Sequence, residues 1–228
     1  MPVCAQEPWT SPDTNTSLAH FPCKLVNDIP RFFISDNIVP FSAGSLATAV
    51  QWAAFDGQST LASDLRHWNT PSLFDLGNFY GEGWVQAGGA LGTWAIGAAA
   101  DNARLQQFGR DAGESLLLST VVVTAIKYPV NRTRPDGGNY SFPSGHTITA
   151  FCVAPVVTRY FGWGAGVPAY LLAALTGLAR VEGEHHYLSD VFAGATLGIV
   201  IGNAVVYKPK DVSVSAGPGQ VRIKLAFN

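Results

Sequence analysis

Residues 143–190 read PSGHTITAFCVAPVVTRYFGWGAGVPAYLLAALTGLARVEGEHHYLSD, with a polar cluster at each end of a long apolar run. Between Thr147 and Ala179 only Arg159 carries a charge. The run is rich in Ala, Leu and Gly, and its two parts are longer than most strands, so it favours two helices separated near Arg159. The sequence therefore predicts a pair of apolar helices lying between two groups of polar side chains.

The rest of the chain continues this pattern. Six segments of 12 to 20 residues contain no Asp, Glu, Lys or Arg, namely 37–55, 83–100, 115–126, 147–158, 160–179 and 191–207. We therefore predict an all-α domain over residues 34–207, built as a bundle of about six apolar helices.

Two terminal segments differ from this domain. Residues 1–33 are polar, rich in proline and predicted to form an irregular N-terminal arm. Residues 208–228 alternate apolar and polar side chains around a Gly-Pro-Gly turn, which predicts a C-terminal tail with a short β-hairpin.

Composition narrows the function classes. The formal net charge is -2 and the chain has no basic run, which argues against a nucleic-acid partner. Charged residues make up only 13% of the chain, a low value that favours a membrane protein or a very apolar bundle. Three cysteines without a Cys-x-x-Cys pair give no metal signal, and we assign no metal or cofactor.

The cellular location stays open between two alternatives. In a six-pass arrangement, the Lys and Arg residues outside the polar clusters fall mostly on one side, which predicts clusters that face outward into the periplasm. Several apolar segments are shorter than the roughly 20 residues of a spanning helix, as in a soluble bundle. Residues 1–6 resemble the end of a secretory signal, and Cys4 could pair with Cys23 after export, whereas Cys152 is expected to pack in the interior.

Three cations are candidates for binding phosphate. Lys127 ends an apolar segment, Arg134 precedes Pro135, and Arg180 follows the apolar segment 160–179. Each alone is an ordinary charge at a helix end, but Lys and Arg side chains together stabilise the oxygens of a phosphoryl group. Arg132 has the same chemistry at a different spacing, and we expect it to be a supporting residue.

The segment Pro143-Ser144-Gly145-His146 lies directly before an apolar helix. Ser144 is a favourable N-cap and Gly145 allows a ligand to approach the backbone, so the free amides of the first turn could bind an anion. His146 in that turn could protonate a leaving group as a general acid.

His186 and Asp190 are four residues apart, a spacing that places both on one face of a helix. The carboxylate would then accept the Nδ1 hydrogen of His186 and leave Nε2 free to attack phosphorus. His185 points away from this face in a helix and is expected to be peripheral, and Glu182 and Glu184 are expected to be solvated loop charges.

These three blocks resemble the signature of the type 2 phosphatidic acid phosphatase superfamily: Lys-x6-Arg-Pro, then Pro-Ser-Gly-His, then Ser-Arg-x5-His-x3-Asp. Lys127, Arg134 and Pro135 match the first block, and residues 143–146 match the second. Arg180, His186 and Asp190 match the third, in which Ala179 replaces serine.

The resemblance implies a helical bundle and a metal-independent phosphatase. By this resemblance His186 is the nucleophile and His146 the general acid, while Asp190 orients His186. Lys127, Arg134, Ser144, Gly145 and Arg180 would hold the phosphoryl oxygens.

The superfamily includes membrane lipid phosphatases, soluble acid phosphatases and vanadium haloperoxidases, and the fold does not choose among them. The favoured function is hydrolysis of a lipid phosphate or polyprenyl diphosphate in a bacterial cell envelope. The alternatives are an exported soluble acid phosphatase, a haloperoxidase, and a scaffold without activity.

Overall fold

The computed structural model describes residues 35–56, 61–67, 70–206, 212–217 and 220–225. Within these ranges the chain forms eight helices followed by one two-stranded antiparallel sheet. The elements are α1 (Ser35–Ala54), α2 (Leu61–His67), α3 (Pro71–Gly81), α4 (Gly83–Ala99), α5 (Ala103–Val130), α6 (Gly145–Phe161), α7 (Trp163–Glu182), α8 (Leu188–Val206), β1 (Val212–Gly217) and β2 (Gln220–Leu225).

Helix α6 lies at the centre of the bundle and packs against α5, α7 and α8. Its side chains Ile148, Cys152 and Val156 are fully buried. Contact with α8 is close because Gly198 and Gly202 have no side chain: an added Cβ would lie 2.8 Å from the Ile148 carbonyl oxygen and 2.3 Å from that of Cys152. The two backbones therefore approach each other directly along this interface.

This topology brings four helix ends to one end of the bundle. Helices α6 and α7 are joined at Gly162, and α7 and α8 by residues 183–187, so each runs opposite to the one before. The C-terminal ends of α5 and α7 consequently lie beside the N-terminal ends of α6 and α8. All three sequence blocks occur at these ends or in the loops next to them.

The all-α class is confirmed, and each of the six apolar segments lies largely within a helix. Two short helices, α2 and α3, were not predicted. Helix α5 begins at Ala103, twelve residues before the predicted apolar segment, because charged residues also form its first half; Arg110, Asp111 and Glu114 are buried. Absence of charge therefore located helices but did not delimit them.

The predicted hairpin is present in the tail, where Val212 pairs with Leu225 and Gly217 with Gln220. Cys152 is buried, as expected. The N-terminal arm 1–33, together with Cys4 and Cys23, lies outside the described residues.

Among the residues described, α7 and α8 are the two helices whose length and apolarity would allow them to cross a bilayer.

Candidate active site

The N-terminus of α6 is fixed against the first turns of α8. The Ser144 backbone N–H donates to the Asp190 carbonyl oxygen over 3.0 Å. Gly194 allows the close approach, because an added Cβ there would lie 2.8 Å from the Ser144 carbonyl oxygen. Ser144 occupies the N-cap position as predicted, but its hydroxyl accepts a hydrogen bond from Thr147 Oγ1 (2.9 Å) and does not cap the helix.

Lys127 lies over this helix N-terminus. It belongs to the last turn of α5, and its Cε lies 3.8 Å from the position that a Cβ of Gly145 would occupy. Its Nζ donates to the Tyr140 carbonyl oxygen over 2.5 Å. The glycine therefore leaves room beside the amides of the first turn, and the ammonium group borders that space.

The two predicted arginines complete a cluster of positive charge. Arg180 lies in the last turn of α7, where its Nη1 donates to Asn78 Oδ1 (3.0 Å), and Arg134 lies in the loop after α5. Arg134 interacts electrostatically with both Lys127 and Arg180, and Lys127 also with Arg180. The Nε atoms of both arginines are buried and have no hydrogen-bond partner among the described residues.

Such a cluster is unfavourable by itself. Like charges repel in a partly buried site, and a buried N–H without an acceptor loses its hydration without compensation. An anion bound between the cations would relieve both costs. The cluster thus has the charge and the unused donors of an oxyanion site.

His186 and Asp190 lie close together, but not in one helix. Helix α8 begins only at Leu188, so His186 belongs to the preceding loop, and the prediction of one helical face is wrong. The loop instead turns the ring so that Nδ1 lies 3.8 Å from Asp190 Oδ2. This distance is too long for a hydrogen bond.

Ser141 bridges the pair. Its hydroxyl donates to Asp190 Oδ2 over 2.5 Å, and its oxygen lies 3.4 Å from His186 Nδ1. The Tyr187 backbone N–H donates to the same carboxylate oxygen over 2.9 Å. His186 is 3% exposed and Asp190 is fully buried, so these contacts hold the ring orientation with little help from water.

Arg132 holds the other oxygen of this carboxylate. Its Nη1 lies 2.7 Å from Asp190 Oδ1, and its Nη2 lies 2.8 Å from Asp56 Oδ2 at the end of α1. The guanidinium carbon lies 3.9 Å from the ring centroid of Trp52 and 4.1 Å from that of Tyr187. Arg132 is therefore a structural link between two carboxylates, consistent with the supporting role expected for it.

The environment of His186 lowers its pKa to about 4. Burial makes the largest contribution, and the positive charges of Lys127 and Arg180 add to it, while Asp190 opposes the shift. His186 is consequently neutral at physiological pH, the state in which an imidazole nitrogen can act as a nucleophile.

His146, in the first turn of α6, faces a residue that the sequence did not suggest. Its Nε2 lies 3.3 Å from Glu82 Oε1, at the junction of α3 and α4. Arg180 also acts electrostatically on His146 and, separately, on His186. Arg180 thus neighbours both histidines, which belong to different elements of the bundle.

The remaining predicted positions are also located. His185 is peripheral, with Nδ1 3.1 Å from Asp136 Oδ2. The Gly138 backbone N–H and His185 together lower the pKa of Asp136. Glu184 is an exposed loop charge, as expected, and it pairs with Arg66 at 3.0 Å. Ala179, where the motif has serine, is fully buried in an apolar cluster with Leu65, Phe74, Val181 and Val191.

Four residues that contact the predicted site residues or Arg132 were not predicted from the sequence, namely Ser141, Asp56, Asn78 and Glu82. Ser141 lies only three residues before Ser144, so its position beside the second block was a usable signal. The other three come from the unmatched half of the chain, and no local pattern marks them.

The comparisons with known proteins agree with this geometry. Residues 108–213 match the family model described as the PAP2 superfamily. The lipid A 1-phosphatase of Porphyromonas gingivalis is 42% identical over 86 residues, which cover 36% of this chain and 19% of that protein. Phosphatidylglycerophosphatase B of Bacillus subtilis is 29% identical over 116 residues, covering 41% of this chain and 57% of the relative. The chain thus spans less than two thirds of either relative.

A solved structure shows the same fold. The transmembrane PAP2 type phosphatidylglycerolphosphate phosphatase from Bacillus subtilis superimposes with a TM-score of 0.56 at 19% identity, over 75% of this chain and 94% of that one. The family match contains every residue of the three sequence blocks, from Lys127 to Asp190. Residues 108–213 of this chain therefore match the PAP2 superfamily, the same family whose signature the three sequence blocks resemble.

Proposed function

We propose that this chain is a phosphatase that hydrolyses lipid phosphate monoesters or diphosphates through a phosphohistidine on His186. The observation that carries the proposal is the cation cluster, in which two buried guanidinium N–H groups, on Arg134 and Arg180, have no acceptor among the described residues. A phosphoryl group supplies both the negative charge and the acceptor oxygens that these donors need.

The first step is attack of His186 Nε2 on phosphorus. Nδ1 faces Ser141 and Asp190, so Nε2 is the nitrogen available for the new N–P bond. Asp190 stabilises the positive charge that develops on the ring as that bond forms. Lys127, Arg134, Arg180 and the amides at the N-terminus of α6 stabilise the phosphoryl oxygens, so the charge stabilisation comes from the protein's own cations.

The next steps are protonation of the leaving oxygen and hydrolysis of the phosphohistidine. As the P–O bond breaks, protonated His146 gives its proton to that oxygen and the alcohol departs. The neutral ring then accepts a proton from a water molecule that attacks phosphorus. The N–P bond breaks, phosphate is released, and His146 is again protonated for the next cycle.

A lipid substrate and insertion in a membrane are supported by the bundle surface. Large apolar side chains on the outer faces of the helices are exposed, including Val39 (73%), Leu91 (66%) and Leu171 (66%). Exposed apolar residues on several neighbouring helices suit acyl chains better than water. The relatives named above are themselves phosphatases of lipid A and of phosphatidylglycerophosphate by name.

A periplasmic orientation is part of the same proposal. The candidate site lies at one end of the bundle, whereas Arg104 in the first turn of α5 and Arg159 in the last turn of α6 lie at the other. Positive charges outside functional sites favour the cytoplasmic side. This arrangement would put the site at the outer boundary of the membrane, where lipid headgroups are accessible.

The test is a substrate panel with the purified full chain in detergent. We expect phosphate release from phosphatidic acid, phosphatidylglycerophosphate or undecaprenyl diphosphate to exceed release from an aryl phosphate. His186→Ala should lower the best rate by at least about 10³-fold, since it removes the nucleophile. The control is His67→Ala, which changes an exposed histidine on α2 whose ring contacts the Ser63 carbonyl oxygen of the same helix.

Three outcomes would contradict parts of this proposal. Full activity in His186→Ala would exclude the phosphohistidine mechanism. Equal turnover of soluble nucleotides and lipid phosphates would favour the exported acid phosphatase. Inactivity of the wild type on every phosphate would favour the scaffold.

A further inference from the structure

We propose that Glu82 is a positioning residue for the general acid His146, an inference that rests on the proposed phosphatase function. Its carboxylate oxygen Oε1 lies 3.3 Å from His146 Nε2. Glu82 precedes the matched family segment by 26 residues, and none of the three sequence blocks contains it.

The backbone brings Glu82 to this position. Helix α3 ends at Gly81 and α4 begins at Gly83, with Glu82 in an extended conformation between them (φ -65°, ψ 123°). Thr149 Oγ1, on α6, donates to the Gly81 carbonyl oxygen over 3.0 Å. This hydrogen bond joins the α3–α4 junction to the helix that carries His146.

Close packing at Gly81 fixes the junction further. A Cβ at Gly81 would lie 2.3 Å from Thr176 Cγ2 and 3.3 Å from His146 Cβ. Any larger residue would therefore push the junction away from α6 and α7. On the other side, the Gln86 side chain donates to the Tyr80 carbonyl oxygen over 2.7 Å. The position of Glu82 is thus set by three neighbouring contacts and not by its own side chain.

The carboxylate offsets positive charge around His146. Among the described residues, the charged or titratable groups that act on this ring are Glu82 from the α3–α4 junction, Arg180 from α7 and His185 from the α7–α8 loop. Arg180 and a protonated His185 oppose a second proton on the ring, whereas Glu82 favours it. Glu82 is the one group of the three that helps His146 to hold the proton it must donate.

The contact also distinguishes the two ring nitrogens. With Nε2–H donating to Glu82, the proton transferred to the leaving oxygen comes from Nδ1. The ring is then neutral and keeps its Nε2 hydrogen on the carboxylate. When water attacks the phosphohistidine, Nδ1 accepts the proton and the imidazolium is restored, so protons balance over the cycle.

The experiment compares two substrates that differ in how much their leaving oxygen depends on protonation, using the full chain purified in detergent. An alkyl lipid phosphate releases a basic alkoxide that must be protonated, whereas an activated aryl phosphate releases a stable phenolate. We expect Glu82→Gln to lower kcat/KM for the alkyl phosphate by about 10-fold to 100-fold and for the aryl phosphate by less than about 3-fold. The alkaline limb of the alkyl-phosphate profile should move to lower pH by about one unit.

Glu184→Gln is the matched control, because it removes an acidic charge in the neighbouring loop that pairs with Arg66 and not with His146. It should change neither the substrate ratio nor the pH profile. Glu82→Asp keeps the charge and should recover part of the lost alkyl-phosphate activity.

Failure of this inference can be separated from failure of the proposed function. If the wild type hydrolyses both substrates and His186→Ala hydrolyses neither, the phosphatase proposal stands. An equal loss on both substrates in Glu82→Gln, or no loss on either, would then overturn the role of Glu82 alone.

Discussion

The bridging hydroxyl of Ser141 gives the sharpest quantitative prediction. Ser141→Ala removes the 2.5 Å hydrogen bond to Asp190 Oδ2 and the 3.4 Å contact with His186 Nδ1. A hydrogen bond to a charged group contributes about 1.5–3 kcal/mol. If the bond acts fully in the transition state, its loss corresponds to a decrease in kcat of about 10-fold to 150-fold.

The loss should fall on kcat and leave KM nearly unchanged. Ser141 orients the nucleophile, whereas the cations that bind the phosphoryl oxygens belong to other residues. Asp190 keeps its bonds to Arg132 and to the Tyr187 amide, so the fold should tolerate the change. Steady-state kinetics with the best lipid phosphate, together with thermal unfolding, would measure both effects.

Ser119→Ala is the control for this prediction. Its hydroxyl is also fully buried, but it donates to the Leu116 carbonyl oxygen inside α5 and does not contact the site. A decrease of less than about 3-fold in Ser141→Ala would refute the reasoning. It would mean that His186 and Asp190 close their 3.8 Å separation and pair directly once the serine is removed.

Two further predictions concern the same network. Arg132→Lys should lower the free energy of unfolding by about 3 kcal/mol, because a lysine cannot keep both carboxylate contacts and the stacking on Trp52. Chemical denaturation would measure this change, and unchanged stability would contradict the linking role of Arg132. Because the pKa of His186 is lowered to about 4, the ring is already neutral well below pH 6.5. Activity should therefore persist as the pH is lowered, until it falls toward about 4. An acid limb of kcat/KM near pH 6.5 would show that burial and the neighbouring cations do not lower this pKa.

Much of the fold could be predicted from sequence because apolar, charge-free runs report buried or lipid-facing helices directly. The same criterion failed where charges are internal. Arg110 and Glu114 lie within α5 and are buried, so the sequence pattern placed the start of that helix too late. The short helices α2 and α3 contain charged and polar residues at close intervals and gave no apolar run.

The parts of the site that lie within local sequence motifs could be predicted. The structure brings the cations and both histidines to one end of the bundle, as their spacing suggested. The spacing of His186 and Asp190 was informative for the wrong reason, since a loop and not a helical turn makes them neighbours. Glu82 and Asp56 could not be predicted from the sequence, because only tertiary packing brings them to His146 and Arg132 respectively.

The most direct test of the phosphohistidine mechanism is a chemical trap. The wild type would be mixed with a lipid phosphate labelled in the phosphoryl group, and both the wild type and His146→Ala with an activated aryl phosphate labelled in the same way. Each reaction would be quenched rapidly in base and mapped by mass spectrometry. The account predicts a base-stable, acid-labile phosphoryl group on His186, which accumulates further in His146→Ala with an activated aryl phosphate because hydrolysis of the intermediate is slowed. A phosphoryl group on any other residue, or continued turnover in His186→Ala, would contradict it.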